Sequence, residues 1–174
     1  MTWTELLKAQ AESAYASTER LIDLVDDDGL GWKPATGENW MTTGQLLRHV
    51  ADACGAPCRG FVTGDWGMPD GFDPSELPPE EMLPPAEKLP TVGSVAEAKR
   101  LLAEDKAVAL EMIESCGDED LANRRVSAPW DPREEILGRS LLQMIGHLAG
   151  HKAQLFYYLK LQGKPVNTSH LWSG

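Results

Sequence analysis

The sequence has few basic residues and no long apolar run, and these two features argue against nucleic-acid and membrane partners. It carries 16 Lys and Arg residues against 27 Asp and Glu residues, for a formal net charge of −11. Such an acidic chain repels phosphate groups and anionic membranes, so we expect no nucleic-acid partner. No apolar run approaches the roughly 20 residues that cross a bilayer, so we expect no membrane association. The first residues lack the pattern of a secretory signal, which favours a cytoplasmic location.

Cysteine is also scarce, and its placement argues against a cysteine-based site. The three cysteines are Cys54, Cys58 and Cys116. Their number is odd, and their spacing matches neither a zinc knuckle nor a redox motif. Cys54 and Cys58 lie four residues apart, but Pro57 stands between them and no second pair completes a metal site. We therefore interpret all three as small buried side chains.

Apolar residues repeat with helical spacing in four stretches, whereas no stretch alternates convincingly as a strand does. We therefore predict an all-α fold. The length of 174 residues and the 42% hydrophobic content are ordinary for one globular domain, so we predict a single domain over residues 1–174. The helical stretches lie near residues 3 to 25, 43 to 63, 95 to 116 and 139 to 162.

Capping signals mark the ends of these helices. In the first three, a Thr or Ser hydroxyl can accept from the third helical amide while Glu or Gln reaches back. Gly163 and Pro165 follow the last helix as a typical stop. Residues 131–134 suit an early start for that helix, but Gly138 favours a continuous helix from about residue 139. The three starting signals are Thr2-x-x-Glu5, Thr42-x-x-Gln45 and Ser94-x-x-Glu97.

The second helix and the connection after it are rich in helix-breaking residues. Gly55 and Pro57 predict a kink or an early end within the second helix, because proline removes one backbone hydrogen bond. From Gly64 to Gly93 the chain carries seven prolines. A connection of that length inside a compact domain is either a functional lid or partly mobile.

Three histidines border the apolar faces of two predicted helices. His49 lies beside the apolar arc of the second helix, and His147 and His151 stand together along one edge of the arc of the last. Imidazoles four residues apart begin about 5–6 Å from each other, within reach of one metal ion. The alternative is that these are ordinary half-buried histidines with ordinary hydrogen bonds. His170, in the tail, is a further candidate ligand.

One acidic residue lies where an apolar residue is expected. Asp105 falls near the middle of the apolar arc of the third helix. A buried carboxylate without a partner costs several kcal/mol, so it should face a cation, a His N–H or a polar cavity. We hypothesise that Asp105 is a hydrogen-bond acceptor or proton-transfer group for the metal site. Alternatively, it pairs with Lys or Arg, or the helix is rotated by a third of a turn.

With these residues identified, the chain resembles the DinB/YfiT-like superfamily, a group linked to metal-dependent enzymes and distinct from the DNA polymerase of similar name. The resemblance covers most of the chain but fades between residues 64 and 93. The matching segments are His147-x-x-x-His151-x-x-Gln154 with Tyr158–Gly163 in the last helix, Thr43–Asp52 in the second, and Leu171-Trp172 at the end.

This resemblance implies an up-down-down-up four-helix bundle that is frequently dimeric, so we expect a homodimer. It also implies a divalent ion bound by His49, His147 and His151. Gln154 matches a family position and lies on the ligand side of its helix, where it can orient a bound group. Zinc or nickel suits three nitrogen ligands, and iron is an alternative.

Three neutral histidines leave a coordination position open, which is typical of a reactive site. For a small-molecule substrate we favour a route implied by the resemblance, in which a low-molecular-weight thiol is transferred to an electrophile. The second route is hydrolysis by water that the metal activates, with Asp105 or another group handling the proton. The third reading is a non-catalytic metal- or ligand-binding stress protein, in which Trp66 and Trp130 line a pocket for an aromatic molecule.

Overall fold

The computed structural model describes residues 1–68 and 84–172, and this part of the chain is mostly helical. The helices predicted near both ends of the chain and after residue 94 are confirmed, with ends within a few residues of those expected. A two-stranded hairpin and short 3-10 turns at 27–29, 86–88 and 168–171 complete the described elements. The elements are α1 (Trp3–Ile22), α2 (Thr43–Val50), α3 (Gly55–Thr63), α4 (Val95–Ser115), α5 (Asp118–Asn123), β1 (Arg125–Ala128), β2 (Asp131–Ile136) and α6 (Leu137–Leu161).

The predicted capping signals open α1, α2 and α4. Thr2 and Thr42 form complete capping boxes, in which the hydroxyl accepts from the third helical amide and the Glu or Gln side chain accepts from the cap amide. Ser94 caps α4 in the same way, but Glu97 accepts from the amide of Gly93 instead. Local side-chain chemistry therefore determines where these three helices begin.

The interruption predicted within the second helix is present, but it is a full break that lies just before Gly55 and divides the segment into α2 and α3. Residues 51–54 separate the two helices. Pro57 is the third residue of α3, where the missing N–H would have had no partner within the helix. Restarting the helix just before Pro57 thus avoids the lost hydrogen bond that a continuous helix would suffer.

A second correction concerns residues 125–136, where the sequence predicted no strand but the chain forms an antiparallel hairpin. Val126 pairs with Glu135 and Ala128 with Asp131, with an irregularity between them. Consequently α6 begins at Leu137, slightly before the expected position. The strands are short and none of their residues is buried, so neither shows an alternation of apolar and polar residues that stands out in the sequence.

The buried apolar residues form one cluster to which all six helices contribute. Within it α1 packs against α4 and α6, and α3 packs against the same two helices. Ile22, the last residue of α1, is fully buried. None of the helices in the described ranges combines the length and apolar character needed to span a bilayer.

Most of the predicted proline-rich connection lies outside the described residues, since positions 69–83 are not among them. The expectation of a lid or mobile segment therefore stays a prediction. Where the description resumes, the chain is held against the start of α2. The side-chain amide of Gln45 donates to the carbonyl oxygens of Ala86 at 2.8 Å and Leu89 at 2.9 Å.

Candidate metal centre

The three histidines predicted from the sequence meet at one point. His147 and His151 lie one turn apart on α6, and His49 approaches them from the last turn of α2. Their Nε2 atoms form a small triangle, with 2.9 Å between His147 and His151. The corresponding distances from His49 are 3.0 Å to His151 and 3.4 Å to His147. Within the described residues, these three side chains form a group that could hold a metal ion.

The size of this triangle fits a divalent ion. Two nitrogens about 2.0–2.1 Å from one zinc ion lie about 3.3–3.4 Å apart at the tetrahedral angle and about 2.8–3.0 Å apart at a right angle. The three observed distances fall within this range. All three ligands would also lie on one side of the ion, which leaves the opposite side free for another molecule.

The ring orientation of His147 is set by the break between α2 and α3. Its Nδ1 lies 3.1 Å from the carbonyl oxygen of Ala53, which is in the segment between the two helices. Because a carbonyl only accepts hydrogen bonds, Nδ1 carries the proton and Nε2 presents its lone pair to the centre of the triangle. A carbonyl inside a continuous helix would be occupied by its own backbone, so the break supplies the acceptor.

Burial favours the neutral, ligand-competent form of His49 and His151. The pKa of His49 is lowered to about 4, first by burial and then by the neighbouring His151 and His147, against the opposing charge of Asp52. The pKa of His151 is also lowered by burial, partly offset by its hydrogen bond with Gln154. A neutral imidazole is the form that binds metal, so little proton release opposes metal binding near pH 7.

Comparison with known proteins identifies the family of this chain and a similar fold. The sequence model of the DinB superfamily matches residues 10–155, which is most of the chain. The chain belongs to the DinB superfamily. The crystal structure of a DinB-like protein from Bacillus cereus ATCC 10987 is similar with a TM-score of 0.63 and 18% identity, over 88% of this chain and 89% of that one. At this identity the likeness shows a shared fold. No curated protein matches the chain.

In this DinB-superfamily protein Asp105 is buried, as the sequence predicts, and it has partners. One carboxylate oxygen accepts from the Tyr15 hydroxyl at 2.6 Å and the other from the Ala56 amide at 3.0 Å. Because Ala56 is the second residue of α3, Asp105 caps that helix from α4. Burial raises the pKa of Asp105, against hydrogen bonds that lower it. Among the described residues its hydrogen-bond partners include no histidine, so its role in proton transfer stays a prediction.

Gln154 lies where the DinB resemblance implies, one turn beyond His151 on α6. Its side-chain oxygen is 3.0 Å from Nδ1 of His151, on the side of the ring away from the triangle. Gln154 therefore contacts a ligand of the candidate ion. Its assignment as a residue that acts on substrate stays a prediction.

Other candidates lie apart from the triangle. His170 is in the C-terminal 3-10 turn, where its ring contacts Asn167, and it is not in the metal-binding group found among the described residues. The three cysteines are free and buried, which confirms their interpretation as packed side chains.

Sequence reasoning missed two contributors to the centre of this DinB-superfamily protein. Ala53 contributes only a backbone carbonyl, which leaves no trace in a side-chain pattern. Tyr158 was noted only within the family resemblance, and the contact of its hydroxyl with Gln154, which in turn contacts His151, was not predicted. Gly55 and Pro57 were a sequence signal for the Ala53 contact, because they mark the interruption that leaves this carbonyl free.

The aromatic residues singled out in the connections lie together. The rings of Trp66 and Trp130 are 5.1 Å apart at a steep angle, and Phe61 lies 4.9 Å from Trp66. Gly60 permits this arrangement, because a β-carbon there would lie 2.2 Å from the Trp66 ring. Trp130 is half exposed. Together the three rings form an aromatic cluster beside the hairpin, with Phe61 buried and Trp130 at the surface.

Proposed function

We propose that His49, His147 and His151 hold one divalent metal ion and that the protein uses it to transfer a low-molecular-weight thiol to a small electrophilic substrate. Zinc or nickel fits the three nitrogen donors best, with iron as the alternative. The observation that carries the proposal is the convergence of three Nε2 atoms within 3.4 Å of one another.

The donor set suits a reactive site more than a structural one. Three neutral imidazoles add no negative charge, so an ion bound there keeps its full positive charge for a further ligand. Structural zinc sites are usually closed by four protein ligands, whereas reactive ones keep a position open. The described residues contribute three.

The chemistry follows from the charge of the site. When bound, a divalent ion supplies the positive charge that favours the thiolate form of a small thiol at neutral pH. In the overall reaction the thiol loses its S–H proton to the departing group or to water, and a carbon–sulfur bond forms. The leaving group departs with the electron pair of its bond to carbon. Ala53 holds the ring of His147 in the orientation that this site needs.

We extend the proposal to the architecture implied by the resemblance. In a four-helix bundle of this type, α1, α4 and α6 are three of the long helices, and α2 with α3 together make the fourth. The packing of α1 and α3 against α4 and α6 supports this arrangement. The break between α2 and α3 then lies beside the metal centre.

Elemental analysis and activity assays test the proposal in turn. The purified protein and the His170→Ala variant should each contain about one transition-metal ion per chain, whereas His147→Ala should lose it. Removing a ligand should weaken affinity by more than the roughly 10- to 100-fold cost of losing an outer hydrogen-bond partner. A wild-type protein that takes up no ion after incubation with zinc, nickel or iron salts would contradict the metal site.

A panel of small thiols and electrophiles then separates the chemistries. Thiol consumption that requires the ion and is lost in His147→Ala supports transfer. Ester or amide cleavage without thiol would replace transfer by hydrolysis.

A binding function without turnover is the second candidate, and the aromatic cluster favours it. The exposed Trp130 ring, which packs against Trp66 and through it against the buried Phe61, offers a face on which a planar molecule can pack. If no thiol or ester reacts, quenching of tryptophan fluorescence by an aromatic ligand, lost in Trp130→Ala, would support this function.

A further inference from the structure

A chain of hydrogen bonds leads from the backbone of the segment before α2 to the metal centre. The Tyr158 hydroxyl lies 2.9 Å from the carbonyl oxygen of Met41. The side-chain nitrogen of Gln154 lies 3.4 Å from the same hydroxyl. The side-chain oxygen of Gln154 lies 3.0 Å from Nδ1 of His151. Four groups are thus linked in a row.

The carbonyl of Met41, at one end of this row, determines which group donates in each of the hydrogen bonds. A carbonyl oxygen only accepts, so the Tyr158 hydroxyl donates its single proton to Met41. Its oxygen is then left as an acceptor, and Gln154 must present its NH₂ group to it. The oxygen of Gln154 consequently faces His151 and accepts from Nδ1–H. The lone pair of His151 Nε2 is thereby directed at the triangle.

We infer that Tyr158 is a positioning residue, which fixes the amide orientation of Gln154 and so holds His151 with its proton on Nδ1. The consequence for metal binding rests on the proposed function, but the inferred proton position does not. Neither Tyr158 nor Gln154 needs to touch substrate for this role.

The other tautomer of His151, protonated on Nε2, would block metal binding, and this is why the position of its proton matters. Nε2 of His151 is 2.9 Å from the unprotonated Nε2 of His147, so without an ion His151 gains a hydrogen bond by carrying its proton on Nε2. In that tautomer the proton occupies the place of the ion. If the amide of Gln154 turned over, its NH₂ group would donate to Nδ1 and favour this blocked state. The hydroxyl of Tyr158 opposes the turn.

The side chain of Tyr158 is held in place by its surroundings. Its side chain is buried, with 2% exposure. The Trp32 and Trp40 rings meet it edge to face at 5.2 Å and 6.2 Å. A hydroxyl held in this way makes its hydrogen bonds without first having to be ordered.

Nitrogen NMR of the histidine rings in metal-free protein tests the inference directly. At pH 8, His151 of the wild-type protein should carry its proton on Nδ1. In Tyr158→Phe, the signals should shift toward the tautomer protonated on Nε2. Tyr157→Phe is the matched control, because Tyr157 directly precedes Tyr158 on α6 but is exposed. The histidine signals of this variant should match those of the wild type. A wild-type His151 protonated on Nε2 would overturn the inference even if no variant folds.

A second substitution tests the mechanism by rescue. A Glu side chain at position 154 only accepts, so it holds the proton on Nδ1 whether or not a tyrosine hydroxyl is present. The double variant Tyr158→Phe with Gln154→Glu should therefore regain the Nδ1 tautomer. If the double variant stays like Tyr158→Phe, Tyr158 does not act through the polarity of Gln154 and the inference fails.

Zinc affinity supplies the readout for function. We expect Tyr158→Phe to bind zinc about 10-fold more weakly than the wild type, at the lower end of the effect of outer hydrogen-bond partners. Tyr157→Phe should keep wild-type affinity. Equal affinities in all three proteins would contradict the functional consequence. A wild type that binds no metal would sink the proposed function, while the NMR result would still decide the tautomer.

Discussion

At the scale of single residues, burial decides the protonation of His49 and so links the candidate metal centre to stability. In the folded protein the pKa of His49 is lowered from 6.5 to about 4, mainly by burial. Between these pH values the unfolded chain binds more protons than the folded one. The free energy of unfolding therefore falls as the pH drops from 6.5 toward 4.

This dependence can be measured in metal-free protein by urea denaturation at a series of pH values. We expect the wild type to lose stability through this window more steeply than His49→Gln, which has no proton to gain at that position. Parallel pH profiles for the two proteins would mean that His49 is not held neutral by the fold.

Asp105 offers a second test at this scale, and it separates a structural role from a catalytic one. Asp105→Ala leaves the Tyr15 hydroxyl and the Ala56 amide without their acceptor, so we expect a loss of about 1–3 kcal/mol in the free energy of unfolding. Asp105→Asn keeps an oxygen for Ala56 and should lose less. Both variants should retain the metal ion.

The decisive comparison is between stability and turnover. Chemical denaturation, metal content and thiol consumption should be measured on the same preparations. If Asp105→Asn folded with normal stability and metal content but lost activity, the proton-transfer role predicted for Asp105 would be supported over the capping role.

At the scale of elements, the interruption between α2 and α3 connects the fold to the site. It frees the Ala53 carbonyl for His147 and opens the first turn of α3 to Asp105. Gly55 makes this contact possible, because a β-carbon there would lie 2.1 Å from the backbone oxygen of Asp105. The sequence reveals the helix-breaking residues, but their effect depends on α4 lying against them.

Glycine-to-alanine substitutions test this element with an internal control. Gly55→Ala should destabilise the protein by about 1–3 kcal/mol or more, because it forces one backbone away from another. Gly146→Ala should leave stability unchanged or raise it by up to about 1 kcal/mol, since no described atom lies within 4 Å of its added β-carbon. Thermal denaturation of both variants measures the difference. Similar effects at both positions would contradict the close packing at Gly55.

At the scale of the whole molecule, α6 presents an apolar surface that suits self-association. Leu142, Tyr157 and Leu161 are 42%, 63% and 66% exposed. The homodimer implied by the resemblance stays a prediction, and this surface is where we place its test. The net charge of −11 opposes association, so moderate salt should favour the dimer.

Light scattering of the eluted protein at moderate salt should give the mass of a dimer. Tyr157→Glu should shift it to a monomer, because a charge would be buried in the interface. Leu6→Glu, a similar change at an exposed apolar position on α1, should remain dimeric. A monomeric wild type would dismiss the predicted dimer, whereas a dimer that persists in Tyr157→Glu would place the interface elsewhere.

The sequence by itself determined the features that depend on neighbours a few residues away. The capping residues Thr2, Thr42 and Ser94 place helix starts because each acts on amides within its own first turn. The spacing of His147 and His151 puts both rings on one helix face for the same local reason. The family resemblance extended this to His49, which local spacing does not connect to the other two.

Only the tertiary structure decided how these local pieces combine. The distance from His49 to His151, the carbonyl that orients His147, and the cap that Asp105 provides for α3 all join residues at least 49 positions apart. The hairpin before α6 was not predicted, because its strands are too short for an alternation of apolar and polar residues to be recognised. The two strands are stabilised by pairing with each other. The three long-range contacts arise from packing of whole elements, and no short window of sequence contains both of their partners.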